Sequence, residues 1–108
     1  MNIKEIDVET LDQKLKSVQP PFVLDVREQH EYDFVNIGAK LIPLGQLADR
    51  VNEIADMKDK EVIIHCRSGV RSLEACKILE SAGFKDVANL SGGILDWARK
   101  IDTDLPLY

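Results

Sequence analysis

Ile63-Ile64-His65-Cys66-Arg67-Ser68-Gly69-Val70-Arg71-Ser72 is the stretch that decides the fold. An apolar run ends in a cysteine, and a short loop with one glycine and two arginines follows. A helix opens at Arg71 or Ser72 and runs to Ala82, with Ala75, Cys76, Leu79 and Ala82 on its apolar face and Gly83 as its stop. That order describes a buried strand, a thiol at its C-terminal edge, and a curl of backbone amides closed by a helix N-terminus. In open α/β sheets, ligands bind outside the carboxyl ends of strands. Cys66 therefore stands where such a fold does its chemistry.

Working outward, the segment before this strand, Leu44 to Met57, reads as a helix with Leu47, Val51 and Ile54 on one stripe. Ala39 to Ile42 is a short strand ended by Pro43, and Glu28 to Phe34 a polar helix or turn. Phe22 to Val26 is a near-continuous apolar run, as a strand covered on both faces requires. Ile3 to Asp7 is a first strand. Val8 to Val18 is a helix capped by Asp7 and stopped by Gln19-Pro20-Pro21. On the other side, Val87 to Leu90 forms a fifth strand, and Ser91-Gly92-Gly93 turns into a helix from Ile94 to Lys100. The tail from Ile101 to Tyr108 is extended and packed by Leu105 and Leu107. Strands alternate with helices, which predicts an α/β fold with a mostly parallel sheet.

Composition narrows the class. The chain has 108 residues, enough for one core without disulfides or metal, so 1–108 is read as one domain. Two cysteines in an acidic chain do not form a disulfide framework, which points to a reducing, cytoplasmic setting. The N-terminal residues lack the apolar segment of a signal peptide, and no run approaches the ~20 apolar residues of a membrane span. A net charge of −5 with no basic stripe argues against nucleic acid. The two arginines beside Cys66 then form a local positive site suited to a small anion.

A thiolate is the reactive form of cysteine, and helix N-termini and nearby arginines favour it. Cys66 is expected to have both. The backbone from Arg67 to Arg71 forms an anion nest, with Gly69 allowing the curl. Arg67 and Arg71 can hold anionic oxygens in bidentate fashion. A buried structural thiol is the plainer reading of Cys66, but the Cys-Arg-x-Gly-x-Arg context has no core role. Cys76 is read the other way, as core packing, with a resolving thiol as the alternative. His65 either tunes the thiolate or is a core histidine. Asp25 and Arg27 either support the loop or form a structural ion pair, the latter being preferred. Gly92 and Gly93 allow close backbone approach or simply turn the chain. Glu28, Glu31 and Asp33 read as a solvated face, and Trp97 as core. His30, His65, Cys66 and Cys76 lack zinc-site spacing, so no metal is expected.

With these residues in place, the sequence resembles the rhodanese family of sulfurtransferases. The resemblance rests on Leu24-Asp25-Val26-Arg27-Glu28 with Glu31-Tyr32, on Ile42-Pro43-Leu44, on Cys66 to Ser72, and on Leu90-Ser91-Gly92-Gly93-Ile94 with Trp97. It implies a rhodanese-like five-stranded parallel sheet with helices on both faces. It also implies that Cys66 is the nucleophile and carries a persulfide. The backbone of Arg67, Ser68, Gly69, Val70 and Arg71 would cradle that persulfide, while Arg67 and Arg71 help bind an anionic donor. Asp25, Arg27, Ser72, Gly92 and Gly93 are supporting candidates. Many rhodaneses carry Gly-His-Ile-Pro-Gly-Ala after the acidic turn. This chain has Val35-Asn36-Ile37-Gly38-Ala39, and with its last residues, Ile101 to Tyr108, it is similar to the rhodanese tail of enzymes that adenylate sulfur-carrier proteins. Nothing in it resembles the adenylating domain.

The implied partners are a small anionic sulfur donor such as thiosulfate, a cysteine desulfurase, or a sulfur-carrier protein; no cofactor is implied. Two rival readings stand beside this one. Cysteine phosphatases place five residues between Cys and Arg, whereas here there are four, Arg67 to Val70, and Ser72 occupies the phosphatase arginine's place. The shorter ring suits one sulfur better than a phosphate. The other rival is a non-catalytic regulatory module, in which the cysteine is often missing.

Overall fold

The chain, described by a computed structural model over residues 2–108, has five parallel strands. Met1, part of the expected domain 1–108, lies outside the described residues. The strands are β1 (Lys4–Ile6), β2 (Phe22–Asp25), β3 (Lys40–Leu41), β4 (Glu61–His65) and β5 (Asp86–Leu90). They lie in the order β1-β5-β4-β2-β3. The helices are α1 (Val8–Leu15), α2 (Gln29–Phe34), α3 (Leu44–Arg50), α4 (Val70–Ser81) and α5 (Gly93–Lys100). The α/β fold with a five-stranded parallel sheet expected from the sequence is the one observed.

Strand alternation divides the core in two. Leu24, Val62, Ile64 and Val87 face α3 and α4, where they meet Leu47, Ala75, Cys76 and Leu79. Val23, Ile63, Ala88 and Leu90 face the other way, against Val8, Leu11 and Trp97 of α1 and α5. Helices thus cover both faces. β4 lies in the middle of the sheet, and four of its five residues are buried. Its C-terminal end therefore presents Cys66 from the buried centre of the sheet. Among the described residues, no helix is long and apolar enough to cross a membrane.

Four details depart from expectation. First, α1 ends at Leu15, three residues early. The Ser17 N–H donates to the Lys14 carbonyl at 3.1 Å, closing the last turn, and Val18 is 99% exposed. Second, Leu44 to Met57 is not one helix. It becomes a 3₁₀-helix at Val51–Met57, with Ile54 outside helical geometry. Val51, Ile54 and Met57 all pack on the core, and their spacing of three matches the 3₁₀ repeat rather than the α repeat. Third, α4 opens at Val70, one residue early, because Gly69 at φ +112° already serves as its N-cap. Fourth, Leu107 is 53% exposed, so only Leu105 packs the tail as foreseen. The residue that anchors the tail is Tyr108.

Candidate active site

Cys66 follows β4 and is 1% exposed. Its Sγ accepts from the Gly69 N–H at 3.1 Å and from the Ser72 N–H at 3.4 Å, and lies 3.3 Å from the Ser72 hydroxyl. Burial pushes the thiol's pKa up. The close Ser72 hydroxyl and hydrogen bonds from the N–H groups of Ser72, Gly69 and Ser68 outweigh it, so the net shift is downward. The loop is an N–H-lined cup around one sulfur atom. Val70 opens α4 with its side chain in solvent.

The cup holds its shape because α5 takes up its carbonyls. The Ile94 N–H donates to the Cys66 carbonyl at 3.0 Å, and the Leu95 N–H to the Arg67 carbonyl at 3.2 Å. With the carbonyls turned outward onto a helix N-terminus, the N–H groups are left facing the sulfur. Gly93 makes this contact possible. It has φ +57°, and a Cβ on it would lie 2.4 Å from the Arg67 oxygen and 2.7 Å from the Cys66 oxygen. At Gly92, with φ +80°, the nearest atoms a Cβ would meet belong to the Asp96 side chain rather than to the Cys66 loop. Gly93→Ala is therefore expected to displace the loop backbone and slow Cys66 alkylation by iodoacetamide about 100-fold, the usual effect of ångström-scale misplacement. Gly92→Ala should slow it much less. Equal rates for the two variants would contradict this division of labour.

Both loop arginines have other partners. Arg71 forms a bidentate pair with Glu31, at 2.6 and 2.9 Å. The Nε of Arg67 donates to the main-chain oxygen of Tyr108 at 2.8 Å, and its guanidinium lies over the Tyr108 ring. The two side chains read as anion ligands are thus paired with groups of the chain itself. Glu31 is corrected from a solvated face to a residue 9% exposed. It accepts from Arg71, from the Glu28 N–H at 2.9 Å and from the Tyr108 hydroxyl at 2.8 Å. The Arg71 guanidinium, against the opposing effect of burial, brings its carboxyl down to about 2. A carboxylate whose pKa is lowered on folding stabilises the fold fully above its unfolded value. Stability should therefore fall as pH drops from about 4.5 towards 2, by roughly 2–3 kcal/mol for this group. Glu31→Gln should remove that part of the acid sensitivity in urea unfolding at pH 3 and pH 6. An unchanged pH slope would count against the pair.

Asp25 and Arg27 form a fully buried pair at 2.7 Å, next to the loop rather than in it. The Arg27 guanidinium also donates to the Val35 carbonyl at 2.8 Å and the Tyr108 hydroxyl at 2.9 Å. His65 is fully buried, with Nδ1 3.3 Å from the Cys66 carbonyl oxygen and Nε2 3.5 Å from Asp25. Burial lowers its pKa, with the Asp25 charge opposing, and so favours the neutral ring. Cys76 is buried in the core, where desolvation pushes its thiol up to about 12.

Asn89 escaped the sequence reading. It is 3% exposed, and its Oδ1 accepts from the Ser72 hydroxyl at 2.5 Å. Its Nδ2 donates to the Gly69 carbonyl at 3.0 Å and to Glu5. The available signal was a single amide inside the apolar run Val87-Ala88-Asn89-Leu90. Tyr108 was also missed, and nothing local marks it.

The chain as a whole, in sequence and in fold, also matches known proteins. Residues 7–100 match the rhodanese-like domain family. The chain belongs to this family. It is 39% identical to a sulfurtransferase of Allochromatium vinosum, over 90% of each chain. It is 37% identical to the probable adenylyltransferase/sulfurtransferase MoeZ of Mycobacterium tuberculosis, covering 80% of this chain but 22% of that protein. The crystal structure of a rhodanese-like domain protein from Staphylococcus aureus superposes with a TM-score of 0.83 at 33% identity, over 98% of this chain and 99% of that one. Both relationships read from the sequence, to rhodanese domains and to the tails of adenylating enzymes, are present.

Proposed function

We propose that residues 1–108 act as one rhodanese-type sulfurtransferase domain in which Cys66 carries a persulfide. The observation that carries this reading is the cup of N–H groups whose focus is the Cys66 sulfur itself. The Cys66 thiolate attacks the sulfane sulfur of thiosulfate or of a thiol persulfide. A new S–S bond forms as the donor's S–S bond breaks, and its electron pair leaves on sulfite or on the donor thiolate. The terminal sulfur of the Cys66 persulfide then passes to cyanide, a thiol or a sulfur-carrier protein, and Cys66 leaves as thiolate. This is covalent catalysis through two steps, each eased by amides aimed at negative sulfur. Arg67 and Arg71 bind an anionic donor by exchanging Tyr108 and Glu31 for it.

The adenylyltransferase/sulfurtransferase relative supports a protein donor or carrier among the partners, while the loop arginines suit thiosulfate. Phosphate-ester hydrolysis is the weaker reading. Only four residues separate Cys66 from Arg71, and the amide cup closes on a single sulfur rather than on a tetrahedral phosphate. Intact-mass analysis after incubation with thiosulfate, and separately with glutathione persulfide, tests the proposal. A gain of one sulfur atom from either donor is expected, discharged by cyanide as thiocyanate. No gain from either donor, with turnover of an aryl phosphate, would overturn it.

A further inference from the structure

The Ser72 hydroxyl lies between two acceptors and has one proton. On one side is the Cys66 sulfur at 3.3 Å, and on the other the Asn89 Oδ1 at 2.5 Å. The orientation of the Asn89 amide is not free. Its other end faces the Gly69 carbonyl and the Glu5 carboxylate, both acceptors only, so the NH₂ group must point there. Oδ1 is thereby turned to Ser72 and requires Ser72 to donate. In the thiol state this is a complete chain: Cys66 S–H to Ser72 oxygen, Ser72 O–H to Asn89. In the thiolate state the sulfur also wants the Ser72 proton, and Ser72 and Cys66 are both too buried for water to replace it.

We infer that Asn89 is a positioning residue that holds the Ser72 proton away from the Cys66 thiolate. It thereby keeps that sulfur a stronger base and nucleophile than the amide cup alone would make it. In the persulfide state the inner sulfur is divalent and uncharged and makes no claim on Ser72, so the Ser72–Asn89 bond is undisturbed. Asn89 thus favours the loaded enzyme over the free thiolate. It speeds attack on the donor and slows departure of Cys66 in the second step. This kinetic consequence rests on the proposed persulfide chemistry; the effect on the thiol does not.

The charged and titratable groups around Cys66 come from several elements. Arg67 and Arg71 belong to the loop and α4, with Glu31 of α2 held against Arg71. Glu5 of β1 lies behind Asn89. Asp25, Arg27 and His65 are buried at the ends of β2 and β4, and Cys76 is on α4. None of these residues is substituted in the Asn89 variants below, although Asn89→Asp sets a carboxylate against Glu5.

The test is the pH dependence of Cys66 alkylation by iodoacetamide in the full chain. Asn89→Leu removes the competing acceptor, and the midpoint should move down by about one unit, with a lower rate plateau at high pH. Asn89→Asp strengthens the acceptor, and the midpoint should move up. Because the new carboxylate would raise the midpoint by its charge alone, the deciding variant is Asn89→Leu, and an unchanged or raised midpoint there would overturn the inference. In a Ser72→Ala background the downward shift of Asn89→Leu should vanish. Its persistence there would equally refute the inference, whether or not Asn89→Asp folds well enough to measure. Because alkylation requires no sulfur donor, failure here is separable from failure of the persulfide reading, which the mass measurement reports.

Discussion

Cys66→Ser should take up no sulfur from thiosulfate or glutathione persulfide, whereas Cys76→Ala should load to the wild-type extent. The two thiols are ten residues apart and both are buried, yet their surroundings are opposite. Cys66 receives three backbone N–H groups and lies beside the Ser72 hydroxyl, and its pKa is lowered despite burial. Cys76 lies among Ala75, Leu79 and other apolar side chains, with its pKa pushed up to about 12. At pH 7 a thiol of that kind is ionised in about one molecule in 10⁵, too few to compete for a donor. Serine at position 66 keeps the shape of the cup but offers an alcohol that does not ionise near neutrality. Loss of uptake in Cys66→Ser should therefore be complete, with the thermal midpoint little changed. Cys76→Ala should instead cost about 1 kcal/mol or somewhat more in stability through the small cavity it leaves. Persulfide found on Cys76 by peptide mapping, or uptake surviving in Cys66→Ser, would defeat the assignment of the nucleophile.

The contrast between the two cysteines was legible in the sequence because it is local. Cys66 ends an apolar run and precedes a glycine-bearing loop, whereas Cys76 falls on a helical stripe. The succession of five strands and the helices between them followed from the same short-range patterns, whereas the strand order β1-β5-β4-β2-β3 came only with the structure. What escaped was set at long range. Glu31 sits in a polar turn like any solvated carboxylate until the fold brings Arg71, forty residues away, against it. Asn89 is tied to Ser72 and Glu5 only because β5 lies beside β1 and under α4. Tyr108 closes over Arg27 and Arg67 from the far end of the chain. Local pattern finds the sulfur and its cup, while the residues that orient the cup's protons and charges are found only in three dimensions. The break in the segment after β3 is an intermediate case, since the change from a spacing of four to a spacing of three was visible at Leu47, Val51, Ile54 and Met57.

The largest loss of stability should follow Arg27→Met. Its guanidinium is fully buried and serves three elements at once: Asp25 at the end of β2, the carbonyl of Val35 after α2, and the hydroxyl of Tyr108 in the tail. Methionine fills similar space but leaves the Asp25 carboxylate without its counter-charge in the core, keeping only the Arg27 main-chain N–H at 3.0 Å from the former pair. Breaking a buried pair from one side costs about 3–5 kcal/mol. That is a large fraction of the 5–15 kcal/mol typical of a whole domain. At about 4 °C per kcal/mol the thermal midpoint should fall by roughly 12–20 °C. Asp25→Leu combined with Arg27→Met removes the stranded charge and should recover much of that loss, since the attraction within a buried pair is largely offset by desolvation. The recovery should be incomplete. The Val35 carbonyl would still lack its donor, and Tyr108 would be held by Glu31 and Arg67 alone. A double variant no more stable than Arg27→Met would mean that the guanidinium matters through α2 and the tail rather than through Asp25. A single variant within 1 kcal/mol of wild type in urea unfolding would mean that the pair contributes little to holding the end of β2 beside the Cys66 loop.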